Sequence, residues 1–384
     1  MNIVFISNFL NHHQLPLCLS FCKQPNVSFT FIATMEIPQE QLKLGYTDMN
    51  KLYDFVLCTY EKKDRQAKKL CKECDVLIIG GSDKSEWYVR GRNREKKVTF
   101  YYSERLFKEE HLNWKSVGRF LKYLIRGIHY QNSYLLCCGA YVAYDYLKVG
   151  CFKERAYKWG YFPEVKNHNM EALMHQKNSK TITILWTARF LHWKHPEAAI
   201  ALAKKLKGNG YSFVIQIIGK GSLEDELHKL VYENNLQDCV IMLGAMPQQK
   251  VREYMEKTNI FILTSDQNEG WGAVLNESMS SACAVVASNA VGSASFLIED
   301  NINGLLFKNK DWNDLYEKVK RLIDEPELKE CFGRMAYQTM MEKWNAEIAA
   351  KRLVELSEHL ERCEQTPFIT GPCSKAEVLS KQYL

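Results

Sequence analysis

The 384-residue sequence predicts an α/β protein built from two doubly wound domains. Three observations carry this. Short apolar runs rich in β-branched and aromatic residues alternate with longer amphipathic stretches, the pattern of parallel strands covered by helices. That alternation breaks once and restarts. The length exceeds what one hydrophobic core usually reaches.

In the first half, IVFIS (3–7), SFTFIAT (28–34), DVLIIGG (75–81) and KVTFYYS (97–103) read as strands buried on both faces. WKSVGRFLKYLIRGIHYQ (114–131) reads as a helix between strands. The break is the polar stretch FPEVKNHNMEALMHQKNSK (162–180), which places a boundary near 163–178. The second half resumes with TITILWTAR (181–189), SFVIQIIGKG (212–221), CVIMLGAM (239–246), NIFILTS (259–265), CAVVAS (283–288) and NGLLF (303–307). HPEAAIALAKKLKGNG forms a helix between the first two, with Gly208 or Gly210 as its C-cap. The expected domains are 1–165, 175–345, and a C-terminal helix and tail, 346–384, returning to the first domain. The tail after residue 363 shows little pattern.

Composition narrows the classes. Hydrophobic residues make 46% and charged residues 25%, as in ordinary folded proteins. The net charge of +6 is too small to argue for nucleic acid. No apolar run approaches the ~18–20 residues of a membrane span. MNIVFISNFL has no basic leader or cleavage site and reads as a first strand. Thirteen irregularly spaced cysteines are then read as thiols of a cytoplasmic protein. Cys71 and Cys74 form a CxxC without a second pair, so one core and one surface cysteine at a helix end is the expectation, not zinc.

Ligands of open parallel sheets bind beyond the carboxyl ends of the strands. Arg189 and Lys194 follow the strand 181–189 and stand at a helix start, where cations and free N–H groups make an anion site. Gly219 and Gly221 allow a tight turn or close approach. Ala245 and Met246 offer backbone groups to a base edge. Gly270 and Gly272 flank a turn at the start of a helix carrying Glu277. A carboxylate among small and apolar residues needs a partner or a ligand, and both hydroxyls of a ribose would suit it. Glu269, in the turn, could reach a sugar.

In order, TARFLHWKHPEAAI, IIGKGSLEDELHKLV, VIMLGAMPQQKVREYM, NEGWGAVLNESMSSACAVVAS, VGSASFLIEDNINGLLF and KWNAEIAAKRL resemble the family 4 retaining glycosyltransferases of GT-B fold. The resemblance covers most of the second domain. It implies two Rossmann-like domains facing a central cleft. By position, Arg189 and Lys194 would hold the donor diphosphate and neutralise the leaving group, and Glu277 would bind the ribose. Glu269 and the amides of Gly270, Trp271, Gly272, Ala273 and Val274 would orient the sugar, with Gly219, Ala245 and Met246 completing the donor site. The resemblance implies transfer without a metal or other cofactor, from a nucleoside diphosphate sugar. The sequence does not name the base, and uridine is expected only as the commonest one. The acceptor would be an envelope polysaccharide or lipid-linked glycan.

The first domain departs from the family pattern. Its first loop, SNFLNHHQLP, carries His12 and His13 in place of a glycine-rich turn, and FYYSERLFKEE places Ser103 and Glu104 after a strand. These four are the acceptor-side or sugar-side candidates. Residues 114–131 set Lys115, Arg119, Lys122 and Arg126 beside an apolar stripe, so peripheral contact with a membrane face is a further expectation. A nucleotide-sugar 2-epimerase and a non-catalytic nucleotide-sugar-binding protein share the expected fold. A dinucleotide dehydrogenase is disfavoured, since no G-x-G-x-x-G follows a strand.

Overall fold

The computed structural model describes the chain except residues 40–41, 43–46, 62, 82–87, 89–91, 93–96, 108–117, 119–132, 180 and 381–384. The basic amphipathic stretch 114–131 therefore lies almost wholly outside the described residues. Contacts divide the chain into two units. One comprises Met1–Glu164 with Asn345–Ser380, the other Val165–Trp344.

The first unit holds β1 (Asn2–Ser7), β2 (Ser28–Ala33), β3 (Val56–Cys58), β4 (Val76–Ile79), β5 (Thr99–Ser103), β6 (Tyr134–Cys138) and β7 (Ala156–Trp159). They form one parallel sheet in the order β3-β2-β1-β4-β5-β6-β7. Ile3 to Ser7 are all buried, which is why β1 is a continuous apolar run rather than an alternating one. Three of these strands escape pattern reading. β3 is only three residues long, Lys158 interrupts the apolar character of β7, and β6 is the cysteine-bearing run YLLCC.

The second unit holds β8 (Ile182–Thr187), β9 (Phe213–Ile218), β10 (Val240–Gly244), β11 (Ile260–Leu263), β12 (Ala284–Ser288) and β13 (Leu305–Phe307), in the order β10-β9-β8-β11-β12-β13. All are parallel. In both sheets the chain starts at the middle, runs to one edge, then crosses back. The order reverses between β1 and β4 and between β8 and β11, and such switch points receive ligands at their carboxyl ends.

Helix Glu197–Gly208 buries Ala198, Ala199, Leu202, Ala203 and Leu206 on the second sheet's core. Gly210, at φ +78°, follows its end, so Gly210 and not Gly208 takes the left-handed stop. The polar stretch read as a boundary contains a helix, Met170–Lys177, whose cap Asn169 accepts from the Ala172 N–H at 3.0 Å. Lys177 is buried there and donates to the carbonyls of Met255 (2.8 Å) and Thr258 (2.7 Å).

Asn345 caps helix Ala346–Glu361 through the Ile348 N–H, and this helix packs on Leu15–Cys22 in the first unit. The tail then pairs antiparallel with β7. The Lys158 N–H donates to Ser374 O at 2.7 Å, and the Cys373 N–H to Lys158 O at 2.8 Å. Both cysteines of the CxxC are buried, so Cys74 is a core residue rather than a surface one. Its thiol meets the Cys71 carbonyl at 3.5 Å.

Arg105, after β5, forms a fully buried ion pair with Asp145 at 3.3 Å, and the Phe107 N–H also donates to that carboxylate. Breaking a buried pair from one side leaves an uncompensated charge. Asp145→Ala is expected to cost about 3–5 kcal/mol, checked by urea unfolding followed by circular dichroism.

Candidate functional site

In the second unit the loops after β10, β9, β8 and β11 leave adjacent strands at the same end of the sheet. Gly219, after β9, sits between the loops that follow β10 and β8. Its N–H donates to Gly244 O at 3.0 Å, and at φ +154° a Cβ would lie 1.9 Å from Ala188 O. Gly221 is as tight, with a Cβ 2.4 Å from Phe190 O. The close approach that these glycines permit is therefore made by the protein's own backbone beside Arg189. Arg189 itself is exposed at the end of β8. Ala245, exposed, and Met246, half-buried, follow β10 after Gly244, whose φ is +68°.

Lys194 closes a short 3-10 turn, His192–Lys194, before helix Glu197–Gly208. Its ammonium forms an ion pair with the Glu269 carboxylate, from the turn after β11, and lies 4.3 Å from the Trp193 ring centroid. Both side chains are largely buried. Ser265 Oγ donates to the same carboxylate at 3.3 Å. Thr264 holds the two turns together. Its single hydroxyl proton lies within reach of both Lys194 O (2.7 Å) and His195 O (3.0 Å), while its oxygen accepts from Trp186 Nε1 (2.7 Å).

Gly272 has φ +84°, which only glycine adopts without strain, and a Cβ there would meet Val291 at 3.1 Å and Glu269 at 3.3 Å. The turn Gly270–Gly272 is anchored by the Trp271 side chain, buried at 1% exposure, whose Nε1 donates to Asn276 Oδ1 at 2.8 Å. Its ring packs near Phe296 and Trp344. Helix Ala273–Met279 starts at once, leaving the first-turn N–H groups near Ala273 and Val274 without intrahelical acceptors. Glu277 is buried on this helix. Gln248 Nε2, from helix Gln248–Lys257, donates to its Oε1, and the Arg252 charge faces it. Burial raises the Glu277 pKa against the opposing pull of Arg252 and Gln248.

The structure thus joins Lys194 to Glu269 directly and sets Glu277 against the helix that follows Ala245 and Met246. Sequence reasoning missed Gln248, His195 and Asp266. His195 follows Lys194 at φ +51°. Its Nδ1 meets Glu197 Oε1 at 2.8 Å and its Nε2 meets Asp266 Oδ2 at 3.3 Å. Burial alone would lower its pKa, but the hydrogen bonds and charges of the two carboxylates prevail and raise it to about 9. The ring is therefore charged at neutral pH. The only sequence signal was a histidine two residues before Glu197. The sign for stability follows: the contribution is full below the ordinary value of 6.5 and is lost as pH rises through about 9. The melting temperature is expected to fall more steeply between pH 7 and pH 10 in the wild type than in His195→Gly, measured by calorimetry.

In the first unit, the loop after β1 carries His12 and His13, with ring centroids 3.8 Å apart. His13 stacks on Tyr161 at 5.7 Å, and the Tyr161 hydroxyl donates to Glu104 Oε1 at 2.6 Å. Tyr161, just past β7, is the residue that sequence reasoning overlooked and that links two of its candidates. Burial and the neighbouring His12 depress His13 to about 3, so its ring is neutral. Among the described residues its buried Nδ1 meets no hydrogen-bond partner. Ser103 accepts from Tyr146 at 2.9 Å and donates to Glu104 O at 2.8 Å, a structural pairing.

A cavity of about 460 Å³ lies at the opposite, amino end of the second sheet, beside Lys177, Asn259 and Arg334. The switch-point rule favours the carboxyl end instead. Among the described residues no group of three or more His, Cys, Asp or Glu is arranged to hold a metal ion. No described helix is long and apolar enough to cross a membrane.

Two switch-point sheets, each flanked by helices, are those of a GT-B protein. A solved glycosyltransferase from Rickettsia africae ESF-5 shares the fold at a TM-score of 0.69 over 94% of this chain and 98% of that one, at 14% identity. Anabaena Alr3699/HepE in complex with UDP does so at 0.66 over 94% and 99%, also at 14%. Residues 171–339 match the family described as glycosyl transferases group 1. That match, to group 1, overturns the family 4 assignment drawn from the motifs. Over 60% of its length the chain is 30% identical to the amylovoran biosynthesis glycosyltransferase AmsK of Erwinia amylovora, covering 57% of that protein. Over 50% it is 28% identical to a poly(ribitol-phosphate) alpha-N-acetylglucosaminyltransferase of Staphylococcus aureus, covering 38%. The chain thus spans about half the length of the relatives it matches.

Proposed function

We propose that this protein is a glycosyltransferase that moves a sugar from a nucleoside diphosphate donor, with uridine the first base to test, to an acceptor hydroxyl in envelope polysaccharide or lipid-linked glycan synthesis. The reading rests on one observation above others: Lys194, five residues after Arg189 in the chain, meets Glu269 at the switch point of the second sheet, next to the Gly272 turn. The group 1 match over the same residues and the amylovoran biosynthesis named for AmsK support it.

In this reading Arg189 and Lys194 take up the negative charge that grows on the departing diphosphate, fixed cations in a partly dry site being worth more than in water. Glu269 orients Lys194 and meets sugar hydroxyls. Glu277, held by Gln248, accepts from the ribose. His13, its ring neutral, and Glu104, joined through Tyr161, are in this reading the residues that take the acceptor or sugar. Attack from the face the diphosphate leaves, with a phosphate oxygen taking the acceptor's proton, retains the anomeric configuration. The test is transfer from a panel of nucleoside diphosphate sugars, with the product anomer read by proton NMR. Transfer with retention supports the proposal. Epimerised donor without acceptor transfer would replace it with the epimerase reading.

A further inference from the structure

We propose that His195 is a positioning residue: a brace, held by Asp266 on one side and Glu197 on the other, that sets the Lys194 turn against the Glu269 turn. This rests on the reading that Lys194 meets the donor's diphosphate.

The connections run through Asp266, the joint of the arrangement. Its N–H donates to Trp193 O at 3.0 Å, tying it to the Lys194 turn. Its carbonyl accepts from the Glu269 N–H at 3.0 Å, and its Oδ1 accepts from the Asn268 N–H at 2.9 Å, which shapes the Glu269 turn. Its remaining carboxylate oxygen meets His195 Nε2. One side chain therefore organises one turn and grips the other. On its second side the ring meets Glu197, in the first turn of helix Glu197–Gly208, so the brace spans two elements.

Direct contact of His195 with a phosphate is the competing role, and the geometry opposes it. Protonated imidazole has two N–H donors, and both are taken by carboxylates. Among the described residues the cluster is also faced by Lys310, whose ammonium lies 3.7 Å from Asp266 Oδ2, by Asn268 Nδ2, which donates to Asp266 Oδ1 at 3.0 Å, and by the Trp312 ring, 5.5 Å from the imidazole. Lys310 is 44% exposed and competes for Asp266 from solvent. His195 is the better-buried cation and the one in the chain next to Lys194. The left-handed backbone at His195 is where glycine fits best. A histidine there has a backbone cost that its two ion pairs offset.

Three measurements test the brace, using the full chain, His195→Gly and Asp266→Asn. Glycine accepts the same φ, so His195→Gly keeps the turn, and Asp266→Asn serves if it does not fold. First, the His195 imidazole is expected to titrate near pH 9 by NMR in the wild type and to move toward 6.5 in Asp266→Asn. Second, acylation of Lys194, followed by peptide mass spectrometry, is expected to quicken severalfold in both variants. Third, with UDP and uridine as probes, both variants are expected to lose about tenfold to a hundredfold of the preference for the diphosphate, with little loss for uridine. The double variant should be no worse than the poorer single one. Unchanged Lys194 reactivity together with an ordinary His195 titration would overturn the brace, whatever the ligand. If the wild type binds no nucleoside diphosphate, the proposed function fails, and the first two measurements still decide the brace. A folded His195→Gly that keeps the wild-type preference for UDP over uridine would also overturn it.

Discussion

Lys194→Ala is expected to lower turnover by about 10²–10³-fold while weakening the bare nucleoside little. The reason is where the charge is needed. A group that stabilises the leaving diphosphate acts on the transition state more than on the ground state, and its loss appears in kcat. The nucleoside carries no phosphate and makes no use of the ammonium. Removing Lys194 also leaves Glu269, among the described residues, with only the Ser265 hydroxyl as side-chain partner, a buried carboxylate short of its counter-charge. The variant should therefore melt lower, and turnover is read below that melting point. Lys194→Gln, which keeps a hydrogen-bond donor without charge, separates the two effects. If it loses as much turnover as the alanine variant, charge is what matters. Equal losses of turnover and nucleoside binding would remove Lys194 from the leaving-group role.

Gly219→Ala is expected to have the largest structural effect of any single methyl group near the site. The added carbon would lie 1.9 Å from Ala188 O and 2.9 Å from Phe190 Cε1, at a φ of +154° that side chains rarely adopt. One of the opposing atoms is backbone, so the clash is relieved only by moving the segment that carries Arg189. A cost of roughly 2–4 kcal/mol follows from backbone strain combined with overpacking. The loss should appear both as a lower unfolding midpoint and as weaker diphosphate binding, since the displaced loop is the proposed phosphate grip. Gly210→Ala is the comparison. It also has positive φ, but a Cβ there meets nothing within 4 Å. It is expected to be milder and to leave ligand binding alone.

The α/β class was legible because strands buried on both faces leave a continuous apolar trace. Ile260–Leu263 and Ala284–Ser288 are buried along their whole length and stand out in the sequence for that reason. Val56–Cys58 and Ala156–Trp159 do not, being short and, in the second case, carrying a lysine. The tail that pairs with β7 was unreadable because its partners lie more than two hundred residues away, as Lys375 and Glu154 do. Glu277 drew notice because a carboxylate stood in a packed helix, and its neighbours Gln248 and Arg252 explain how it is tolerated. His195 gave no comparable signal. Its contact with Asp266 spans 71 positions, and only the pairing of β8 with β11 brings the two together. The motif order pointed to a glycosyltransferase but to family 4, whereas residues 171–339 match group 1. Short motifs record the chemistry that a site needs, and related groups share that need.

The most direct test of the central claim is a thermal-shift titration of the intact protein with UDP, GDP, ADP, dTDP and CDP, each beside its nucleoside. Ligand binding to the native state stabilises it by about 2.7 kcal/mol at a hundredfold excess over Kd. One diphosphate is expected to raise the melting temperature in a concentration-dependent way, its nucleoside less, and the difference is expected to vanish in Lys194→Gln. No shift with any of the five, or a shift that Lys194→Gln retains in full, would contradict a diphosphate grip at the end of β8.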